Sequence, residues 1–525
     1  MKTNLRLPSA SFGPLRRRAA IGVAAAAVCT AMALGGLVSA AHAEEPAAID
    51  DIILLVGADE SQRVVSWYAS AATEQVVQIA PTAGVVGDEF PADAIIVPAV
   101  VSANTVNGGY NGRAVIADLD ENVEYSYRVG GDGGWSDASA FKTRKFDGNF
   151  DFLFFGDPQI GSSGNIPLDQ AGWEDTLEVS LAANPEAELL VSGGDQVNNA
   201  NVEAEWKAFL APEGLRAVPW VATIGNHDVG GKAYEQHLWT PNTDRSPQYY
   251  RSSNLTTQSG GNYWFEYKDT LFIDLNSNAY STSGVAGVDA DEAHVGYVTD
   301  VIEEHGAEAK HVVLVYHHAI YSPAAHANDG DNQKRRVDFP TAFSELGVDL
   351  VLQGHDHSYS RSYQIKNGEK ANPDEQPGAT SVFQGPGGVT YVTSNSASGS
   401  KYYDLTDPRV GSDFGPDPLN PDNHWANSVE NQEHVRTYIK VSVRDEHLTV
   451  ENIRSGTCEA PNAAVEVGRV SWCGPDSGAS EALPVGSVQD QVVIHKSKDK
   501  DRGPRKNHGA PVTTQQETPT VTTIN

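Results

Sequence analysis

Two hydrophobic periods divide this chain. Between residues 50 and 147, short β-branched and aromatic runs (51–56, 64–68, 76–79, 113–116, 124–129) alternate with turns rich in Gly, Asp and Asn. Runs of that length at that spacing predict an all-β sandwich, whose last strand is read at Phe141-Lys142-Thr143. From Asp151 to about Arg454 the pattern changes. Continuous apolar runs alternate with helical stretches at 173–183, 202–210, 291–305 and 339–346, and further strands are read at 263–267, 271–275, 389–392, 435–443 and 448–453. Buried-type strands separated by helices predict an α/β unit of two packed mixed sheets with helices outside. Residues 227–262 and 321–338 read as long polar loops around a site. From about Val492 a Lys/Arg-rich and then Thr/Pro/Gln-rich tail reads as disorder.

Five apolar runs end alike, in Gly or an aromatic residue and then a carboxylate, amide or imidazole. They lead into Gly156-Asp157, Gly194-Asp195, Gly225-Asn226-His227-Asp228, His317 and Gly354-His355-Asp356-His357. Alternate residues of an extended segment face one side, so His355 and His357 can share a ligand. Singly each has an ordinary reading: Asp195 as a turn residue, Asn226 as a left-handed turn residue, His317 as a satisfied core histidine. Together, just past strand ends, they read as a two-metal hydrolytic site. Asp157 and Asp195 neutralise two divalent cations, one of them bridging. Asn226 adds a neutral oxygen, and His317, His355 and His357 add imidazoles. Such a metal pair can hold a bridging hydroxide and stabilise an in-line displacement at phosphorus. His227 is read as facing the phosphoryl group, with Asp228 fixing its tautomer and raising its pKa.

Charge and the chain ends complete the picture. The net charge of −32 excludes nucleic-acid or anionic-membrane binding through a general basic field. A small phosphorylated substrate therefore needs local positive charge, which metal ions supply. Residues 1–43 read as a signal peptide: Arg16-Arg17-Arg18, an apolar run, then Ala41-His42-Ala43 before Glu44. Export by the general or the twin-arginine route places the protein outside the cell, with no membrane anchor retained. Of three cysteines, Cys29 falls in the leader, so Cys458 and Cys473 are read as one disulfide. Its loop of about 15 residues would contribute roughly 3 kcal/mol. The expected division is 1–43 leader, 44–147 sandwich, 148–455 catalytic domain, 456–491 extension and 492–525 tail.

The ordered blocks resemble those of calcineurin-like metallophosphoesterases, specifically the purple acid phosphatase branch. Trp67 in mid-strand, and Leu119 with Tyr125 and Tyr127, are similar to a fibronectin type III-like sandwich with its tyrosine corner. The resemblance covers roughly residues 50–455. It implies a four-layer αββα catalytic domain, one metal on Asp157, Asp195 and His357, and the other on Asp195, Asn226, His317 and His355. It gives His227 a transition-state role and puts His326 where the plant enzymes carry a histidine near the leaving group. Two positions depart from it. Asn198 stands where the branch has a tyrosine, and Gln159 where the wider superfamily has a histidine. The first metal then takes the Gln159 amide oxygen or a water, and the metals are expected to be Mn, Zn or Fe in the divalent state. The function implied is a secreted phosphomonoesterase. The alternatives are a phosphodiesterase or nucleotide hydrolase with the same site, or a non-catalytic surface binding protein.

Overall fold

The computed structural model describes residues 48–496, apart from 132, 252–256, 281–288, 385–386, 412–413 and 457–482. Residues 1–43, read as a leader, together with Cys458, Cys473 and everything beyond residue 496, therefore lie outside the described residues. Two sheets face each other at the centre. One follows the parallel strands Phe150–Phe155, Leu189–Ser192 and Trp220–Val221, and the other includes Thr270–Leu275, His311–Tyr316, Leu350–Gln353 and Thr390–Thr393, also parallel. Phe152, Phe154, Leu189 and Val191 of the first sheet pack on Phe272, Val313, Val315, Leu350 and Leu352 of the second. The opposite faces take the helices. Trp173, Leu177, Trp206 and Phe209 cover the first sheet, and Val298, Ile302, Phe339 and Phe343 cover the second. Strands apolar on both sides need cover on both sides, and αββα is the outcome, as expected.

The N-terminal strands form the expected β-sandwich, with Trp67, Leu119, Tyr125 and Tyr127 in its core. Its corner is built as read: the Asp120 N–H donates to the Tyr125 hydroxyl at 3.0 Å. The Tyr127 hydroxyl instead donates to the Arg216 carbonyl at 2.9 Å, across to the helical layer. One sandwich sheet also runs straight into the first catalytic sheet, because Ile49–Val56 pairs in parallel with Trp220–Val221 through Leu55 and Trp220.

Two readings need correction. The stretch read as a polar loop to residue 338 becomes helical at Gly330, in the helix Gly330–Leu346. Its polar residues are buried by pairing: Arg335, fully enclosed, meets Asp331 at 2.8 Å and Asp291 at 3.3 Å. The tail read from Val492 begins inside the strand Val488–His495, which pairs with His447–Arg454 and Ser381–Phe383. Val492 and Ile494 are buried there, and Asp490 holds the strand to Arg361 and Tyr359.

Candidate metal centre

Every block read from the sequence ends at one place, past the carboxyl ends of the parallel strands. Asp157 is fully buried; both its carboxylate oxygens accept the His355 N–H, at 2.9 and 3.0 Å, and its Oδ2 lies 3.2 Å from His357 Nε2. Around His317 the packing is tighter. Its Nε2 lies 2.9 Å from Asn226 Oδ1, 3.3 Å from Asp195 Oδ2 and 3.1 Å from His355 Nδ1. Its Nδ1 is 2.8 Å from the Gly193 carbonyl, which can only accept, so Nδ1 carries a proton.

That geometry tests whether the residues fit a cation. A neutral His317 would turn a lone pair toward two oxygens and another imidazole nitrogen, all out of water. Burial works to lower His317, yet Asp195 and Asp157 overcome it and push it up to about 10. Burial works to raise Asp195, and His317 with His227 hold it down at about 2. A proton on His317 thus stands where a metal's charge would lie. His355 is driven well below its usual range by burial and by the imidazoles of His318, His326, His317 and His357, which leaves it neutral as a ligand must be. The donor set is carboxylate, amide oxygen and imidazole, suited to Mn, Zn or Fe.

The backbone is bent to make this cluster. Gln159, Asp195, His355 and His357 all have positive φ, at 36°, 46°, 72° and 41°. A side chain there costs on the order of 1 kcal/mol each, and such strain collects at functional sites. Two glycines let the loops close. A Cβ on Gly225 would sit 2.0 Å from Asp195 Oδ1, and one on Gly354 would sit 2.2 Å from Asp157 Oδ1.

The two departures meet each other. Gln159 Nε2 donates to Asn198 Oδ1 at 3.4 Å, and Gln159 Oε1 is buried with no hydrogen-bond partner. The loops carrying them are stitched through the Gln159 N–H to the Asp195 carbonyl at 2.7 Å and the Asn198 N–H to the Ile160 carbonyl at 2.9 Å. An orphaned amide oxygen two residues from Asp157 is chemically suited to the ligand role expected of Gln159.

His227 stands at the mouth, one third exposed, with Nε2 4.0 Å from Asp195 Oδ2. Its partner is not Asp228, and the expected catalytic role for Asp228 is corrected. His227 Nδ1 faces the Asn198 carbonyl at 2.8 Å. Asp228 turns the other way into the protein, where its carboxylate accepts the N–H groups of Gln196, Val197 and Gly225 at 3.0, 3.3 and 2.9 Å. Burial first, and then Asp195, raise it well above the carboxylate range. It shapes the Asp195 loop. His326 does reach the site: its ring stacks on His355 with centroids 3.8 Å apart.

Sequence reasoning missed the other wall. Tyr403 packs 5.2 Å from His357 and 5.3 Å from His326, and Lys401 Nζ lies 4.4 Å over its ring. The Lys401 carbonyl lies 2.9 Å from His357 Nδ1, the kind of outer contact that would orient the imidazole if it ligates a metal. Gln432 Nε2 donates to the carbonyls of His357 and Tyr403, both at 2.7 Å. These residues follow no motif; only the pairing of strands 359–362 and 427–431 brings Gln432 near.

Residues 150–359 match the calcineurin-like phosphoesterase family, and residues 49–143 match the purple acid phosphatase N-terminal domain. The chain is 23% identical over 273 residues to the phosphoenolpyruvate phosphatase of Allium cepa, across 49% of this chain and 52% of that protein. It is 26% identical over 264 residues to purple acid phosphatase 1 of Ipomoea batatas, with the same two shares. The chain thus spans about half the length of the curated relatives it matches. A purple acid phosphatase from yellow lupin (Lupinus luteus) seeds superposes with a TM-score of 0.62 over 86% of this chain and 75% of that one, at 17% identity, a likeness of fold.

Proposed function

The chain is a calcineurin-like metallophosphoesterase with a purple acid phosphatase N-terminal domain, and on that premise we propose that it hydrolyses phosphoric monoesters at a centre of two divalent ions. One observation carries the reading: Asp195, Asn226 and His355, from three other strand ends, converge on His317 Nε2 within 3.3 Å. In this reading they and His317 hold the second metal. Asp157, Asp195, His357 and the Gln159 amide oxygen hold the first, and Asn198 orients that amide. When bound, the two ions supply an activated water and neutralise charge on the phosphoryl oxygens.

The chain's own residues do the rest. His227, fixed through Nδ1, presents Nε2 to a phosphoryl oxygen as negative charge builds there. His326 stands across the mouth, where a leaving-group oxygen departs. Tyr403 offers a ring and a hydroxyl to the substrate's organic part. The surface is strongly acidic, so a free phosphate ester gains attraction only at the centre itself. Turnover of 4-nitrophenyl phosphate against bis(4-nitrophenyl) phosphate tests the reading. A kcat/KM at least about tenfold higher for the monoester, about 1.4 kcal/mol in transition-state terms, is expected. Preference for the diester contradicts it.

The leader places the protein outside the cytosol. Recovery from culture medium with Glu44 as the first residue is expected; a cell-bound chain keeping residues 1–43 contradicts this.

A further inference from the structure

The wall that carries Tyr403 is tied down almost residue by residue. The Ser398 and Ser400 hydroxyls both donate to the Pro158 carbonyl, Ser400 at 3.2 Å, and the Gly399 N–H donates to the Ser396 hydroxyl at 3.1 Å. The Lys401 carbonyl faces His357 Nδ1 at 2.9 Å, and the Tyr403 carbonyl accepts from Gln432 Nε2 at 2.7 Å. Burial alternates along this wall. Ser400 and Tyr402 are buried, whereas Lys401 and Tyr403 are half-buried. Alternate residues project on one side, so a lysine and a tyrosine stand next to each other on a rigid backbone.

That side is the mouth of the centre. The Tyr403 ring lies 5.3 Å from His326 and 5.2 Å from His357, and Lys401 Nζ lies 4.4 Å over the same ring. An ammonium carries three N–H donors on a flexible stem, so it can turn from a ring face to an arriving anion. Carboxylates of this region have their own partners. Asp404 meets His434 Nε2 at 2.9 Å, and Asp329 meets His326 Nδ1 at 2.7 Å. The net charge of −32 repels any anion at long range, so a fixed cation beside the mouth acts where the substrate's organic part comes to rest. One ammonium balances one negative charge. A carboxylate matches it, whereas a second phosphoryl group brings about −1.5 to −2 at pH 7.

We propose that Lys401 is a specificity-determining residue: its ammonium, carried over the Tyr403 ring, recognises a carboxylate on the organic part of a phosphate ester. This rests on the phosphoester-hydrolase reading above and names a substrate class for it. The phosphoryl group sits at the centre, the organic part lies along Tyr403, and the carboxylate meets Lys401 Nζ in a charge-assisted hydrogen bond.

The test uses metal-loaded full-length protein, with metals counted on each sample, and two esters of one shape: 4-carboxyphenyl phosphate and the neutral 4-carbamoylphenyl phosphate. The readout is the ratio of their kcat/KM values. Intrinsic differences between the two leaving groups cancel when the ratio in a variant is compared with that in the parent. The carboxylate-to-carbamoyl ratio is expected to fall at least about fivefold in Lys401→Met and to be largely kept in Lys401→Arg. In the parent it should shrink as salt rises from about 0.05 to about 0.5 M. A ratio that changes less than about twofold in Lys401→Met overturns the proposal. So does loss of a metal equivalent in that variant, since the side chain would then support His357 and not meet the substrate. Calorimetric titration with the unreactive 4-carboxyphenyl and 4-carbamoylphenyl phosphonates keeps the test separate from turnover. Tighter binding of the carboxylate is expected in the parent, and its loss in Lys401→Met. Equal binding of the two phosphonates by the parent overturns the proposal. A parent that hydrolyses neither ester refutes the functional reading, and the phosphonate preference still decides whether Lys401 reads a carboxylate.

Discussion

Adding one methyl group at Gly225 should empty the whole metal centre, whereas the same change at Gly354 should empty half of it. The Cβ of Gly225→Ala would lie 2.0 Å from Asp195 Oδ1 and 2.3 Å from the Asp195 backbone nitrogen. Real Cβ contacts stay beyond 3.0 Å, so carboxylate and methyl must part by about 1 Å. A displacement of that size is worth about 100-fold in a reaction that depends on alignment. Asp195 bridges in this account, so its movement weakens both metals. In Gly354→Ala the Cβ would lie 2.2 Å from Asp157 Oδ1 and 2.5 Å from the Gly193 carbonyl oxygen. Only the first metal then loses a carboxylate. The assay is metal content after gel filtration in metal-free buffer, with the melting temperature recorded to show that the fold survives. Fewer than one equivalent is expected for Gly225→Ala and about one for Gly354→Ala. Two retained equivalents in a folded Gly225→Ala protein would refute the bridging role of Asp195.

Other predictions follow from single groups. His227→Ala should lower kcat about 10²- to 10⁴-fold while both metals stay bound; loss of metal would make His227 a ligand. Air-oxidised, iron-loaded protein should show no strong visible charge-transfer band, because Asn198 and Gln159 offer only neutral amide oxygens. The Tyr316 hydroxyl is buried without a hydrogen-bond partner, and the Tyr359 hydroxyl is held by Asp490 at 2.7 Å. A band that disappears in Tyr403→Phe would show that Tyr403 reaches the metal instead. Asp490→Ala strands the Arg361 guanidinium, which is 1% exposed and bonded to Asp490 at 2.7 and 3.1 Å. It should cost about 3–5 kcal/mol in urea unfolding, with a cost below about 1 kcal/mol contradicting the pairing.

How legible the site was depends on where its residues sit. Asp157, Asp195, Asn226, His317, His355 and His357 follow apolar runs, and a parallel strand fixes where its last residue points, so the sequence placed them together. Asp228 was misread because neighbours in sequence are not neighbours in space. The chain turns at Asn226, sends His227 out to solvent and sends Asp228 in to three backbone N–H groups. Alternation alone could have warned of this. Tyr403, Lys401 and Gln432 were invisible, since loops after distant strands bring them in. The strand Val488–His495 was hidden for another reason. Its two core residues, Val492 and Ile494, adjoin a charged run, and only pairing with His447–Arg454 makes it a strand. The helix from Gly330 was hidden by Arg335, a residue type normally exposed, whose burial depends on carboxylates at 291 and 331.

The central claim is that one buried cluster holds two metals and hydrolyses phosphate esters through them. The most direct test is a single purified sample, counted for metal and assayed on 4-nitrophenyl phosphate before chelation, after chelation, and after Mn²⁺ or Zn²⁺ is returned. The account predicts two divalent equivalents per chain, loss of turnover with the metals, and recovery with their return. Full turnover in a sample shown to be free of metal would contradict it.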